Sequence, residues 1–245
     1  MRRMSSELPH ASSADHRVRI VVADDQPLMR RAIADLVQDE PTLELVGEAA
    51  NGQEAVQLAQ SAQADLVLMD LDMPVMSGVD AIAALTAATD IRTMALTTFS
   101  SMDWVLAALR AGASGYLVKD SAPDMILQAV QQVMEDTMVL SPSVVSLLSK
   151  QVLEMPDRAV RTSEEEAPQL TEREQQVLDL LAGGLSNREI AQELFLSEGS
   201  VKLHMGKACD KLGARDRVQL LVRAVELGLV RPALMKPETA LDRYR

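Results

Sequence analysis

Leu66-Val67-Leu68-Met69-Asp70 is an unbroken apolar run that ends on a carboxylate, and Leu71-Asp72-Met73-Pro74 follows it at once. Such a short run, apolar at odd and even positions alike, reads as a strand buried on both faces, the habit of parallel sheets sandwiched between helices. Working outward, Val18–Ala23, Leu43–Ala49, Arg92–Thr97 and Gly115–Val118 are runs of the same kind, rich in β-branched residues. Between them, Pro27–Val37, Gln53–Ala62, Gly78–Thr86, Met102–Ala111 and Ala122–Met134 place apolar residues at three- and four-residue spacing, as helices do. Asn51-Gly52 and Ser77-Gly78 stand where a strand must hand over to a helix. Five strands alternating with five helices predict an α/β, doubly wound unit around a five-stranded parallel sheet.

The polar residues of this segment fall at the strand ends. Asp24 and Asp25 close the first strand, Asp70 the third, Thr97 the fourth and Lys119 the fifth. In an open parallel sheet the carboxyl ends of the strands line the ligand crevice, so these side chains converge. Two carboxylates about 4 Å apart repel by roughly 4 kcal/mol at an effective dielectric near 20, which calls for a cation. An oxygen-only donor set favours Mg²⁺. A metal beside a free carboxylate and a lysine suits phosphoryl transfer, with Asp70 attacking phosphorus in line and Thr97 donating to a phosphoryl oxygen. Taken singly, each residue has an ordinary reading as a cap, a surface charge or a strand position. The functional reading rests on all five standing at strand ends together.

Val21-Val22-Ala23-Asp24-Asp25, Leu68-Met69-Asp70-Leu71-Asp72-Met73-Pro74, Leu96-Thr97-Thr98-Phe99 and Gly112-Ala113-Ser114-Gly115-Tyr116-Leu117-Val118-Lys119 resemble the receiver domain of two-component response regulators. The resemblance covers about residues 17–138. It implies a flavodoxin-like sheet of order 2-1-3-4-5, with Asp70 as phosphoacceptor and a sensor histidine kinase as donor. It further implies that Asp24, Asp25, Asp70 and the carbonyl of Asp72 serve Mg²⁺, and that Thr97 and Tyr116 are the switch pair. Many receivers carry a proline after the lysine; here Asp120 follows Lys119.

The net charge of −12 argues against indiscriminate nucleic-acid binding, but it is unevenly spread. Residues 17–140 carry −11, whereas residues 168–245 carry +1, so anion binding belongs to the last segment. Cys209 is the single cysteine, which excludes an internal disulfide framework and suits a reducing cytosol. No apolar run approaches the roughly 18 residues of a membrane span, and residues 1–16 lack the apolar stretch of a secretory signal. The expectation is a cytoplasmic protein without membrane contact, with tails at 1–16 and 231–245 and an acidic linker over 139–167.

Residues 168–230 are helical in pattern throughout: Thr171–Ala182, Asn187–Leu194, Ser200–Leu212 and Asp216–Leu227. Thr171 with Glu174 forms a capping-box start. Asn187–Leu194, a turn through Ser197, and Ser200–Leu212 make a helix-turn-helix, with Ile190, Leu194, Val201 and Leu212 inward and Lys202, His204, Lys207 and Lys211 left pointing elsewhere. The segment resembles the LuxR-type domain of the NarL/FixJ subfamily through Leu170-Thr171-Glu172-Arg173-Glu174, Gly184-Leu185-Ser186-Asn187-Arg188-Glu189-Ile190-Ala191, Ser197-Glu198-Gly199-Ser200-Val201-Lys202-Leu203-His204 and Lys211-Leu212-Gly213-Ala214-Arg215-Asp216-Arg217. By that resemblance Ser200, Lys202, Leu203, His204, Gly206 and Lys207 lie on the groove side, and Ser186, Asn187 and Arg215 contact phosphates of double-stranded DNA. Val218, Leu221, Val222 and Val225 form either a pairing face or part of the domain's own core. Gly206 departs from the family, where a polar or basic reader often stands.

Together these readings describe a phosphorylation-dependent transcriptional regulator that forms a homodimer on activation, and not an enzyme in the ordinary sense. A second reading takes Asp70-Leu71-Asp72 as the Asp-x-Asp of a haloacid-dehalogenase-like phosphohydrolase. Met73-Pro74, the lack of a cap domain and the helix-turn-helix segment speak against it. A third, a constitutive DNA binder with a receiver serving only as a dimerisation module, finds little support beside an intact acid cluster.

Overall fold

The computed structural model describes residues 17–97, 102–135 and 169–230; the expected tails and linker lie outside them. Strands β1 (Val18–Ala23), β2 (Leu43–Ala49), β3 (Leu66–Asp70), β4 (Arg92–Thr97) and β5 (Gly115–Val118) occur where the apolar runs predict them. They form one all-parallel sheet in the order β2-β1-β3-β4-β5, as the resemblance implies. β3 is buried at every position, which explains why its sequence is apolar without alternation.

Helices α1 (Pro27–Asp39) and α5 (Pro123–Met134) cover one face of the sheet; α2 (Gly52–Ser61), α3 (Gly78–Ala88) and α4 (Met102–Ala111) cover the other. Alternate residues of β1 divide between them. Ile20 and Val22 pack with Ile33, Val37, Ile126 and Val130, while Val21 and Ala23 join Ala55, Ile82, Leu85 and Leu109. Both helices that follow the charged strand ends of β1 and β5 carry proline in their first turn, where the missing N–H costs no intrahelical bond.

The C-terminal unit is four helices: α6 (Glu172–Ala182), α7 (Asn187–Glu193), α8 (Glu198–Leu212) and α9 (Arg217–Glu226). α6 opens with the predicted capping box, and Ser186 with Glu189 makes a second one at α7. α8 starts two residues earlier than the spacing suggests because the Ser197 hydroxyl accepts from Ser200 N at 3.1 Å and caps it there. Val218, Leu221, Val222 and Val225 are all buried within the chain. The apolar core that begins between the sheet and α4 continues without a break into this unit, with α9 packed on α4.

Candidate functional site

Three carboxylates meet at the carboxyl end of the sheet. Register brings them there: Ala23, the residue before Asp24, pairs with Met69, the residue before Asp70. Asp70 pairs with Leu96, and Thr97 pairs with Val118, the residue before Lys119. Asp24 and Asp70 are buried, Asp25 is exposed, and each offers an oxygen to a cluster spanning less than 4.8 Å.

The Lys119 ammonium lies in the same pocket, 2.6 Å from Asp24 Oδ2 and 2.8 Å from Asp70 Oδ2, with its side chain only 1% exposed. The remaining carboxylate oxygens are held by backbone amides. Gln26 N donates to Asp24 Oδ1 at 2.9 Å, and Leu71 N donates to Asp70 Oδ1 at 2.8 Å. Burial pushes the Asp70 carboxyl up; the hydrogen bond and charge of Lys119 pull it back only in part, and Asp24 adds to the rise. Three carboxylates against one ammonium leave an all-oxygen pocket two charges negative, a donor set that fits a hard divalent cation.

Thr97 is buried at the end of β4 and Tyr116 is buried within β5, whose phenol burial pushes up to about 12. Asp72 lies on the exposed loop beyond Asp70. That loop turns back tightly: a Cβ on Gly78 would lie 1.9 Å from the carbonyl oxygen of Asp70, so the end of β3 and the start of α3 touch through a glycine.

In the helical unit, Lys202, Leu203, Gly206 and Lys207 are exposed on α8, while Ser200 and His204 are half-buried. Ser200 shares a hydroxyl contact of 2.9 Å with Ser197. Lys211 turns back to Glu174 Oε2 at 2.6 Å and to the carbonyl of Gln169 at 3.1 Å, so it braces α8 against the start of α6. Asn187 is buried, and its side-chain oxygen accepts from Arg217 Nη1 at 2.9 Å. Arg217 itself is buried and also donates to the carbonyl of Leu185; its loss of hydration pushes it down to about 10. Ser186 caps α7, donating through its hydroxyl to Glu189 at 2.7 Å.

Arg215 is engaged elsewhere. Its guanidinium donates to the carbonyl of Gly112 at 2.8 Å and approaches the Ser114 hydroxyl at 3.4 Å, both in the loop before β5. Beside it, Ser114 Oγ donates to Asp216 Oδ2 at 2.8 Å, and Gln219 Nε2 donates to the carbonyls of Leu109 (2.8 Å) and Ala113 (3.2 Å). Arg110 faces Glu226 at 3.4 Å. These residues dock the helical unit on the C-terminal end of α4. Nothing in the residue pattern points to this contact beyond one polar residue, Gln219, at a buried place in the apolar run of α9.

Comparison with known proteins agrees with both halves. The family model for the response regulator receiver domain matches residues 20–131, and that for bacterial regulatory proteins of the luxR family matches residues 168–224. The transcriptional regulatory protein LnrK of Bacillus subtilis (strain 168) is 38% identical over 216 residues, covering 86% of this chain and 98% of that protein. The nitrate/nitrite response regulator protein NarL of Escherichia coli (strain K12) is 36% identical over 205 residues, covering 83% and 93%. Among solved structures, a two-component response regulator of the LuxR family from Aurantimonas sp. SI85-9A1 is 29% identical, covers 56% of this chain and 99% of its own, and aligns with a TM-score of 0.52.

Proposed function

The chain belongs to the NarL/FixJ type of response regulator, a DNA-binding transcriptional regulator, and from that premise we propose that phosphorylation of Asp70 by a sensor histidine kinase releases the helical unit from α4 to pair on DNA. The observation that carries this is Lys119 bridging two buried carboxylates at the strand ends. A phosphohydrolase reading of Asp70-Leu71-Asp72 is not favoured, because both family models and full-length relatives point to a regulator.

In the transfer, an oxygen of Asp70 bonds to phosphorus as the bond from phosphorus to the kinase's imidazole nitrogen breaks. The pair of electrons leaves with the imidazole. Asp24, Asp25 and Asp70, with the carbonyl of Asp72, would hold Mg²⁺, whose charge when bound offsets that of the phosphoryl oxygens. Lys119 faces the acceptor carboxylate and contributes a second positive charge. The product carries close to two negative charges where the Asp70 carboxylate carried one, beside Thr97, whose hydroxyl donates to a phosphoryl oxygen; Tyr116 on the next strand follows the movement of Thr97.

Docked, Arg215 is committed to the receiver; released, it is free for a DNA phosphate. Lys202, Lys207 and Ser186 supply further phosphate contacts; Asn187, its side-chain oxygen taken by Arg217, does so through its main-chain N–H at the start of α7, and Ser200, Leu203, His204 and Gly206 face the groove. Two copies then read half-sites about one helical turn, roughly 34 Å, apart. Work on DNA supports a cytoplasmic location; separately, no helix among the described residues is long and apolar enough to cross a membrane.

The test is to add beryllofluoride with Mg²⁺ while following oligomer size and DNA binding. A larger oligomer with tighter DNA binding is expected, and Asp70→Asn should abolish both along with labelling by a phosphodonor. Undiminished labelling of that variant would remove Asp70 from its role.

A further inference from the structure

Helix α8 buries Val201, Met205, Ala208 and Leu212 and turns a different line of residues outward. Gly199, Leu203 and Gly206 follow one another at spacings of four and three, so they stack along one side of the helix. Leu203 is 58% exposed, one of the few large apolar side chains left in water among the described residues. Neither glycine is required by packing. A Cβ on Gly206 would meet nothing within 4 Å, and one on Gly199 would meet only Ser197 Oγ at 3.8 Å. Both have non-left-handed backbones, so an alanine would fit and would favour the helix. The result is a single leucine standing between two stretches of bare backbone, edged by the exposed Lys202 and Lys207 in a chain of net charge −12.

This line carries no side-chain donor or acceptor, so it cannot make the bidentate hydrogen bonds that read guanine or adenine. What an isolated apolar side chain recognises on a base-pair edge in the major groove is the C5 methyl of thymine. The flanking ammonium groups fit the phosphates on either side, and bare backbone lets the helix sit deeper than a side chain would allow. We propose that Leu203 selects thymine in each half-site by contact with its methyl group, and that Gly206 sets the close approach that makes the contact. The proposal rests on α8 entering the major groove and names what it reads there.

The full-length protein, with and without beryllofluoride and Mg²⁺, is used to select duplexes from a random-sequence pool, so that failed activation is told apart from failed recognition. Thymines of the selected site are then replaced one at a time by uracil, which lacks only the methyl group. One or two positions per half-site should lose about fourfold in affinity, the worth of one buried methyl-sized group. Leu203→Ala should bind thymine and uracil duplexes equally at those positions. Gly206→Ala should raise the Tm of the free protein and still weaken binding to the selected duplex about tenfold, a combination that a merely structural glycine would not give. Equal binding of every uracil duplex, or an unchanged thymine preference in Leu203→Ala, overturns the assignment while leaving the DNA-binding reading intact. A change of oligomer size in Leu203→Ala without DNA would overturn it in favour of a contact between copies. Selection of no duplex in either condition would overturn it together with the recognition-helix reading.

Discussion

Gln219, on the last helix of the DNA-binding unit, donates its side-chain amide to the carbonyl of Leu109, in the last turn of α4 of the receiver, at 2.8 Å. The final carbonyls of a helix have no partner within it, and here a second unit supplies one. The same amide reaches the carbonyl of Ala113, so one side chain closes the end of α4 and the loop behind it. Docking therefore adds directional polar bonds to a continuous apolar contact, and these bonds sit at the end of the receiver opposite to Asp70.

Gln219→Ala should loosen this contact. Two hydrogen bonds of roughly 1 kcal/mol each give way to water, moving the docked-to-open ratio by a factor of about ten or more. Unphosphorylated Gln219→Ala should bind DNA correspondingly tighter in a fluorescence anisotropy titration, and by reciprocity it should bind beryllofluoride more tightly. Ser114→Ala, which removes the 2.8 Å bond to Asp216 and leaves that residue's capping of α9 in place, should act the same way. Affinities equal to wild type in both variants would show that docking does not restrain the DNA-binding unit.

Replacing Lys119 by Met should destabilise the receiver by about 3 kcal/mol, because it leaves Asp24 and Asp70 buried beside each other without a counter-charge. Added Mg²⁺ should recover part of that loss and raise the Tm of the variant more than that of wild type. Thermal unfolding with and without the ion checks it, and an equal shift in both proteins would detach the ion from the carboxylate pocket.

Gly78→Ala should be poorly tolerated for a reason of contact alone. Its Cβ would press on the Asp70 carbonyl at 1.9 Å, and backbone on both sides cannot yield without moving either β3 or the start of α3. A Tm at least 10 °C below wild type is expected, about 2–3 kcal/mol for a domain of this size. Near-native stability would mean that the loop between them is free to shift.

The receiver was legible in detail because its strands are too apolar to be anything but buried and its charges stand only at their ends. The pocket residues Asp24, Asp70, Thr97 and Lys119 needed only sheet direction to be brought together. Register, set by Ala23 with Met69 and Thr97 with Val118, then fixed the geometry. The docking contact was hidden because it is built from main-chain carbonyls of Leu109, Gly112 and Ala113, which any residue carries. Lys211 and Asn187 read as surface groups for a related reason: a polar side chain at helical spacing does not reveal that it will fold back on Glu174 or Arg217.

Glu174 carries a pH dependence. Burial raises its carboxyl, but the Lys211 ammonium at 2.6 Å and the bonds from Thr171 lower it further, leaving it below the ordinary 4.5. A carboxyl depressed in the folded state stabilises the fold above its unfolded value and ceases to do so as pH falls through the folded one. Glu174→Gln should therefore be less stable than wild type at pH 7, and the gap should close as pH drops below about 4.5. Thermal unfolding of both proteins across this range decides it; a gap constant with pH would mean that Glu174 acts through packing alone.

Trp104, the single tryptophan, lies in the first turn of α4, whose last turn meets Gln219, and it is 37% exposed. From Trp104 to Leu109 the helix rises roughly 7.5 Å, so a movement carried along α4 to the docking contact passes this side chain. Beryllofluoride with Mg²⁺ should change its emission, and Asp70→Asn should remove the change. Gln219→Ala separates two origins of the signal. If emission reports undocking, the variant should show the activated spectrum without any ligand; if it reports the pocket, the variant should look like wild type until ligand is added. Emission that stays fixed while the oligomer grows would show that α4 does not move, and the route from Asp70 to the DNA-binding unit would have to run outside it.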